Sequence, residues 1–339
     1  MSKIIIEHYG FDFPPYSLIN LLNCLVLEED KNFIIFEPLT GTKLPYDKIK
    51  SMTKHNLYII ITTHEGASHM WFDRLLDTLV KECGVLLSNI ILRSGCLHNP
   101  TSPIHHVHTI VDECSDFVYK INHCDLTVPV PVTHHYVCLN RLHRWQRYCL
   151  VTELLDRRLG QYGKISYIQD ANYNDPRFPM YLESNCVSWE DQRDIKNPDL
   201  TSALINIITE SAYEPEPGVD QLEFHHLPGM TEKSFKCFAM QQLPVWLAPY
   251  GSVQCYRDLG FDVFDDIINH DYDMEADPAQ RVTQVADQIE KLCGLTELNS
   301  MRITLQPRFL KNINTLKSYT DHLIELPQWQ QIFNQADKY

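Results

Sequence analysis

The sequence predicts an α/β protein of two Rossmann-like domains facing each other across a cleft. Three observations lead there. The chain has 339 residues, too many for one ordinary core and comfortable for two. Short, almost wholly apolar runs recur along it, as expected of strands buried on both faces of a parallel sheet. Helical stretches separate them, and the rhythm stops and restarts once, which is the pattern of doubly wound units in series.

In the first domain, residues 1–130, the strand candidates are Ile4-Ile5-Ile6, Phe33 to Phe36, Leu57 to Ile61 and Ile90-Ile91-Leu92. The clearest helix runs from Trp71 to Cys83, with Phe72, Leu75, Leu76, Leu79 and Val80 at helical spacing. The break lies at Pro100 to Val132, where turn formers and a histidine run precede Val128-Pro129-Val130-Pro131-Val132, an extended connector. The second domain, residues 131–310, restarts with a strand at Tyr136 to Leu139 and a helix from Arg141 to Leu159, ended by Gly160. Strands follow at Ile165 to Ile168 and Leu204 to Ile208, then a helix at Thr231 to Gln242. A strand at Pro244 to Leu247 leads to an amphipathic helix at Pro278 to Leu292. Residues 311–339 are expected to be helical and to pack back on the first domain. Asp170 to Asp199, rich in Asn, Asp and Pro, reads as an irregular loop.

Composition narrows the class. Apolar residues make up 44% and charged residues 22% of the chain, as in soluble globular proteins. No segment approaches the roughly 20 apolar residues that span a bilayer. The start lacks a signal-peptide pattern, so a cytoplasmic location is expected, that of the host if the chain is viral. Eleven cysteines include no C-x-x-C pair. Cys138, Cys149 and Cys237 fall in apolar patterns, as reduced thiols acting as small hydrophobes. The formal net charge of −15 disfavours non-specific binding to nucleic acid or anionic membranes, while leaving room for a local basic pocket.

Three clusters are candidates for such a pocket. In Gly229-Met230-Thr231-Glu232-Lys233-Ser234-Phe235-Lys236, Gly229 permits a sharp turn and Thr231 is a fair N-cap. The first helical turn favours an anion, Lys233 and Lys236 project from neighbouring positions, and Glu232 suits ribose hydroxyls. In Asn140-Arg141-Leu142-His143-Arg144, a strand ends and a helix begins, with Arg141 and Arg144 one turn apart to grip phosphate. In Ile207-Ile208-Thr209-Glu210-Ser211, a buried strand delivers Glu210 to its carboxyl end. Read singly, the first is as well explained by a capped surface helix and the second by a solvated basic face.

Together these pieces resemble the fucosyltransferase-like glycosyltransferases, including the members encoded by phages and large viruses. In that family a strand ending in Asn with Arg shortly after opens the second domain. A later strand ends in Glu-Asn or Glu-Ser, and a T-E-K element begins a helix followed by a strand. Here these are Asn140 with Arg141 and Arg144, Glu210-Ser211, and Thr231-Glu232-Lys233 leading to Leu243-Pro244-Val245-Trp246. The stretch from Gly251 to Asp273 is also similar to the phage and viral members. The likeness covers roughly residues 135 to 295 and is loose in the N-terminal half.

The resemblance implies a GT-B fold with a nucleotide sugar, a GDP-sugar first, held by the second domain as co-substrate. It implies inverting, metal-independent transfer to a glycan or other hydroxyl acceptor. Lys233 and an arginine of residues 141–147 would neutralise the diphosphate leaving group. The chain departs from the fucosyltransferases in having Ser211 where Asn is common and in showing no secretory anchor. Such transfer also needs a carboxylate base. Glu65, after the strand Leu57 to Ile61, is the candidate, with Glu7 and His8 after the first strand as second choices.

Two patterns are discounted. His105-His106-Val107-His108 with His134-His135 lacks the Cys or carboxylate that completes a recognised metal spacing. Asp271-Tyr272-Asp273 matches a cation-binding D-x-D but sits far into the second domain, as a loop feature. No P-loop or dinucleotide fingerprint occurs. Two other functions stay open: a viral DNA-base glycosyltransferase, and a degenerate transferase serving as a carbohydrate- or protein-binding module.

Overall fold

The computed structural model describes residues 5–9, 32–36, 46–52, 57–63, 75–94, 105–108, 117–118, 120–122, 130–168, 175–182, 195–211, 213 and 231–319. The chain divides into two compact units. One comprises Met1–Asp112, Gln221–Met230 and Pro327–Tyr339, the other Glu113–Asp220 and Thr231–Leu326. The architecture is mixed α/β with a parallel sheet in each unit.

The first unit carries strands β1 (Ile5–Tyr9), β2 (Asn32–Phe36), β3 (Leu57–Thr63), β4 (Ile90–Ser94) and β5 (His105–His108), with helix α1 (Tyr46–Met52) between β2 and β3. All pairings are parallel and the order is β1-β2-β3-β4-β5. Each strand is added on the same side of the last, so the described strands of this sheet show no reversal and no switch point. Leu57, Ile59 and Ile61 alternate along β3 and are buried with Ile49, Leu75, Leu76, Leu79 and Ile90, as a period of two demands. The predicted helix at Trp71 to Cys83 appears as a helical turn at 75–77 running into a π-helix, Thr78–Glu82. Two expectations change here. His105–His108 is an edge strand paired to β4 rather than part of a connector. Glu7 and His8 lie inside β1, not after it. Glu65 and Phe72 lie outside the described residues.

The second unit carries strands β6 (His134–Asn140), β7 (Gly163–Tyr167), β8 (Ala203–Thr209) and β9 (Leu243–Leu247). Its helices are α2 (Trp145–Asp156), α3 (Pro198–Thr201), α4 (Glu232–Ala239), α5 (Ser252–Asp258), α6 (Pro278–Leu292) and α7 (Leu298–Ser318). The parallel order is β7-β6-β8-β9. All seven residues of β8 and all five of β9 are buried, the signature of a sheet covered on both faces. Pro244 is tolerated because β9 is an edge strand. Tyr136 faces Gly163 across the β6–β7 pair. A Cβ on Gly163 would meet the Tyr136 ring at 2.4 Å, so only glycine fits there.

Helix boundaries shift where local chemistry overrides periodicity. Residues Arg141 to Arg144 are not helical, and Arg144 is an extended N-cap with φ −148° and ψ 142°. Arg158 turns left-handed at φ 59°, so α2 stops before Gly160. In α6, Asp277 caps the Ala279 and Gln280 amides and Pro278 takes the first position, the arrangement that leaves no amide wasted. The expected boundary at residue 310 would cut α7, whose Phe309, Asn312, Ile313 and Leu316 are all buried. Asn312 also clasps the backbone of Asp262 at 2.7 and 2.8 Å, so residues 311–319 belong to the second unit.

One side chain ties the amino-terminal edge of this sheet. Arg302, on α7, is 2% exposed and is met by backbone carbonyls. It donates to the carbonyls of Val130, Thr201, Ala203 and Gln241 at 2.7 to 3.3 Å. Burial pulls its guanidinium down to about 10. Removing it takes a donor from all four carbonyls, of which Ala203 keeps another in Gln242 Nε2 at 3.0 Å. Arg302→Leu is therefore expected to lower unfolding stability by about 3 kcal/mol in urea titration. The neighbouring Ile303→Ser, at a position 62% exposed, should change it by less than about 0.5 kcal/mol.

Candidate functional site

The chain leaves β6 toward β7 on one side and later returns to β8 on the other, so the strand order reverses at the β6–β8 pair. Ligand crevices of open α/β sheets form outside the carboxyl ends at such a reversal. The residues delivered there are Asn140 at the end of β6 and Glu210-Ser211 just past β8.

Arg147 is the organiser. It lies on α2 among Leu150, Val151 and Leu154, all buried, and is itself 4% exposed. Its Nη2 donates to the Thr209 carbonyl at 2.9 Å and to Ser211 Oγ at 3.0 Å, and its Nη1 to the Leu142 carbonyl at 3.1 Å. Gln146 Nε2 reaches the Glu210 carbonyl at 3.0 Å. The end of β8 is thereby fixed to the first turn of α2.

Glu210 is 2% exposed and faces the start of α4. Thr231 caps α4 by accepting from the Lys233 amide at 3.3 Å, and its hydroxyl donates to Glu210 at 2.7 Å. The Lys233 ammonium lies 3.3 Å from Glu210 Oε2 and 3.0 Å from Glu232 Oε1. Burial opposes the Lys233 charge, but Glu210 and Glu232 outweigh it and hold its pKa above the usual lysine value, against the opposing charge of Arg147. Burial, aided by Glu232, pushes the Glu210 carboxyl above the usual carboxylate range, while Lys233 and the Thr231 hydroxyl pull it back. The result is a partly covered cluster of two cations and two carboxylates.

The structure therefore brings together Glu210, Ser211, Thr231, Glu232 and Lys233 as expected, and it adds Arg147 and Gln146. The sequence holds a signal for Arg147: a cation three, four and seven residues before buried apolar positions sits on a helix's apolar stripe. Four expected residues take other roles. Asn140 is fully buried and spent internally, accepting from Thr209 Oγ1 at 2.7 Å and donating to Cys138 Sγ at 3.3 Å, so it clips β6 to β8 and has no face for a ligand. Arg141 and Arg144 are exposed on the loop before α2, not one helical turn apart, because the helix starts at Trp145. Lys236 is 7% exposed beside Cys237 and adds nothing to the surface near Lys233. After its first turn α4 is buried throughout, from Ser234 to Ala239, which excludes an amphipathic surface helix there.

The D-x-D pattern also resolves. Asp273 is 3% exposed and its carboxylate accepts from the Val253 amide at 3.0 Å and the Gln254 amide at 3.3 Å. It fills the start of α5 from within the chain. Asp271 is exposed and paired with Asn269. Among the described residues no group of three or more His, Cys, Asp or Glu side chains is arranged to hold a metal ion. No described helix is long and apolar enough to cross a membrane. Burial lifts the Cys138 thiol to about 12, in keeping with an inert core thiol. No protein-family model matches the chain, and no curated protein matches it.

Beneath the site, His270 Nε2 donates to the Val263 carbonyl at 2.9 Å. That leaves Nδ1 to accept from the Tyr272 hydroxyl at 2.9 Å, which in turn accepts from the Trp246 amide at 3.2 Å. Trp246 stacks on Tyr256 at 4.8 Å, and its Nε1 donates to Ser234 Oγ at 2.9 Å, so this chain buttresses α4. Burial lowers the His270 imidazole to about 4 from its ordinary 6.5. A depressed pKa gives stability that is complete above the unfolded value and lost as pH falls toward the folded one. The loss between pH 6.5 and 4 should be on the order of 3 kcal/mol. Urea midpoints of the wild type should fall more steeply over that range than those of His270→Gln, and parallel slopes would contradict this.

Proposed function

We infer that the second unit binds a nucleotide sugar, a GDP-sugar first, and that the protein is an inverting glycosyltransferase acting on a glycan or other hydroxyl acceptor. In this reading the two units are Rossmann-like domains of a GT-B enzyme, and the first supplies the acceptor side. The observation that carries it is the convergence of Arg147, Lys233, Thr231 and Glu210 at the strand-order reversal of the second sheet's described strands. Cations from two different elements meet there beside a polar carboxylate.

Each group has a task that its chemistry supports. Lys233 neutralises charge developing on a departing diphosphate, a stabilisation that grows toward the transition state. Arg147 supports it from below and holds Ser211 and the end of β8 in register. Arg141 and Arg144, exposed at the rim, attract the anionic ligand to a chain whose overall charge is −15. Glu210 and Glu232 supply acceptors for hydroxyls of ribose or sugar. The donor is a co-substrate and no metal is assigned a step. Glu65 is the proposed acceptor base.

Release of nucleoside diphosphate from GDP-, UDP- and CDP-sugars, with and without sugar acceptors, tests the reading. One donor should be turned over, and Lys233→Ala should slow that turnover by about 100-fold or more. Turnover unaffected by Lys233→Ala would remove the basis of the assignment.

A further inference from the structure

Lys233 is held by two carboxylates at once, 3.3 Å from Glu210 and 3.0 Å from Glu232. These two carboxylates occupy the same ammonium that the donor reading gives to a diphosphate. They are not equivalent. The Glu232 side chain is 25% exposed and that of Glu210 is 3% exposed, so water can rescue the first and not the second. The charged and titratable groups facing Glu210 are Glu232 and Lys233 from α4, the Tyr256 hydroxyl from α5, and Arg147 from α2 acting through Lys233, beside the neutral hydroxyl of the N-cap Thr231. Of these only Lys233 touches its carboxylate as a cation.

A phosphate arriving at Lys233 sets a third anion against the same cation. Two close anions in a buried site are not both kept charged; one raises its pKa and takes a proton. Phosphodiester oxygens are far too acidic to do so near neutrality, and Glu232 can turn to solvent. Glu210 can do neither. Once protonated it still accepts from the Thr231 hydroxyl, and its new O–H is a donor for a phosphate or ribose oxygen.

We propose that the Glu210–Lys233 pair is a proton-linked gate: a phosphate-bearing ligand takes Lys233 from Glu210, and Glu210 takes up one proton from solvent as the ligand binds. This rests on the nucleotide-sugar reading and adds its regulation, since affinity then falls as pH rises. The upward displacement of the Glu210 carboxyl, caused by burial and by Glu232, acts in the same direction.

Calorimetric titration of the full chain tests it with GDP-mannose, UDP-glucose and CDP-glucose, whose diphosphate diesters do not titrate between pH 6 and 8. Two buffers of different ionisation enthalpy give the number of protons taken up. For whichever probe binds, the wild type should take up close to one proton, and affinity should weaken by up to about tenfold per pH unit. Glu210→Gln keeps an acceptor for Thr231 and removes the titrating group, so it should take up none and bind more tightly than wild type at pH 8. Glu232→Gln should keep the uptake. His143 also lies at this edge, bonded to Tyr167, and is unchanged in both variants. Binding without proton uptake by wild type, or uptake retained in Glu210→Gln, overturns the gate and leaves the donor site standing. If Glu210→Gln does not fold, the wild-type proton count decides alone. Failure of all three probes at every pH overturns the donor reading and the gate with it.

Discussion

A guanidinium buried beneath a helix must be met by acceptors, and the carboxyl edge of the second sheet is built to meet that of Arg147. A buried charge left without partners costs several kcal/mol. The acceptors here are the Thr209 carbonyl, Ser211 Oγ and the Leu142 carbonyl. Satisfying them fixes the end of β8, the loop before α2 and the pitch of α2 together. Glu210 follows Thr209 directly, so its carboxylate is aimed at the first turn of α4 by the same constraint. Arg302 does the corresponding work at the opposite edge, where four carbonyls converge on it. One sheet is thus held at both ends by a buried arginine, and at the carboxyl end Glu210, Glu232 and Lys233 gather beside it.

Much of the second unit was legible because its signals are local. Strands apolar at nearly every position, such as Leu204 to Ile208 with Asn206 its one polar residue, admit few other readings. Asp277-Pro278 announces the start of α6 through an acceptor and a residue with no amide to satisfy. Thr231 announces α4 in the same way. What escaped was non-local. Whether Arg141 or Arg147 faces inward depends on where α2 begins, and α2 begins late because Arg144 is extended. Periodicity over residues 141–159 does not show that delay. Asn140 looked like a ligand contact because it ends a strand, yet its amide is consumed by Thr209 of the neighbouring strand, a pairing visible only in three dimensions. Lys236 failed for a related reason: α4 is enclosed beyond its first turn, and two lysines three residues apart came to face different surroundings.

The site's chemistry follows from a near balance of charge. Arg147 and Lys233 oppose Glu210 and Glu232 within one small volume, so the cluster is stable as it stands yet responds to any added anion. A site with cations alone would hold phosphate at all pH values and release product slowly. In the proposed reading, carboxylates that compete for Lys233 would make binding conditional. The aromatic chain from Trp246 through Tyr272 to His270 keeps α4 in place while that competition goes on. Asp273 closes the start of α5 from within the chain, while the first turn of α4 carries Lys233 beside Glu210.

The most direct test of the central claim is a thermal-shift panel of GDP-, UDP- and CDP-sugars against the full chain and Lys233→Ala. Ligand binding stabilises the folded state by mass action, and a donor at about a hundred times its Kd should raise the Tm of the wild type by roughly 5 °C. One nucleotide class should give that rise, and Lys233→Ala should lose it. A flat response of the wild type across the whole panel would contradict the nucleotide-sugar reading.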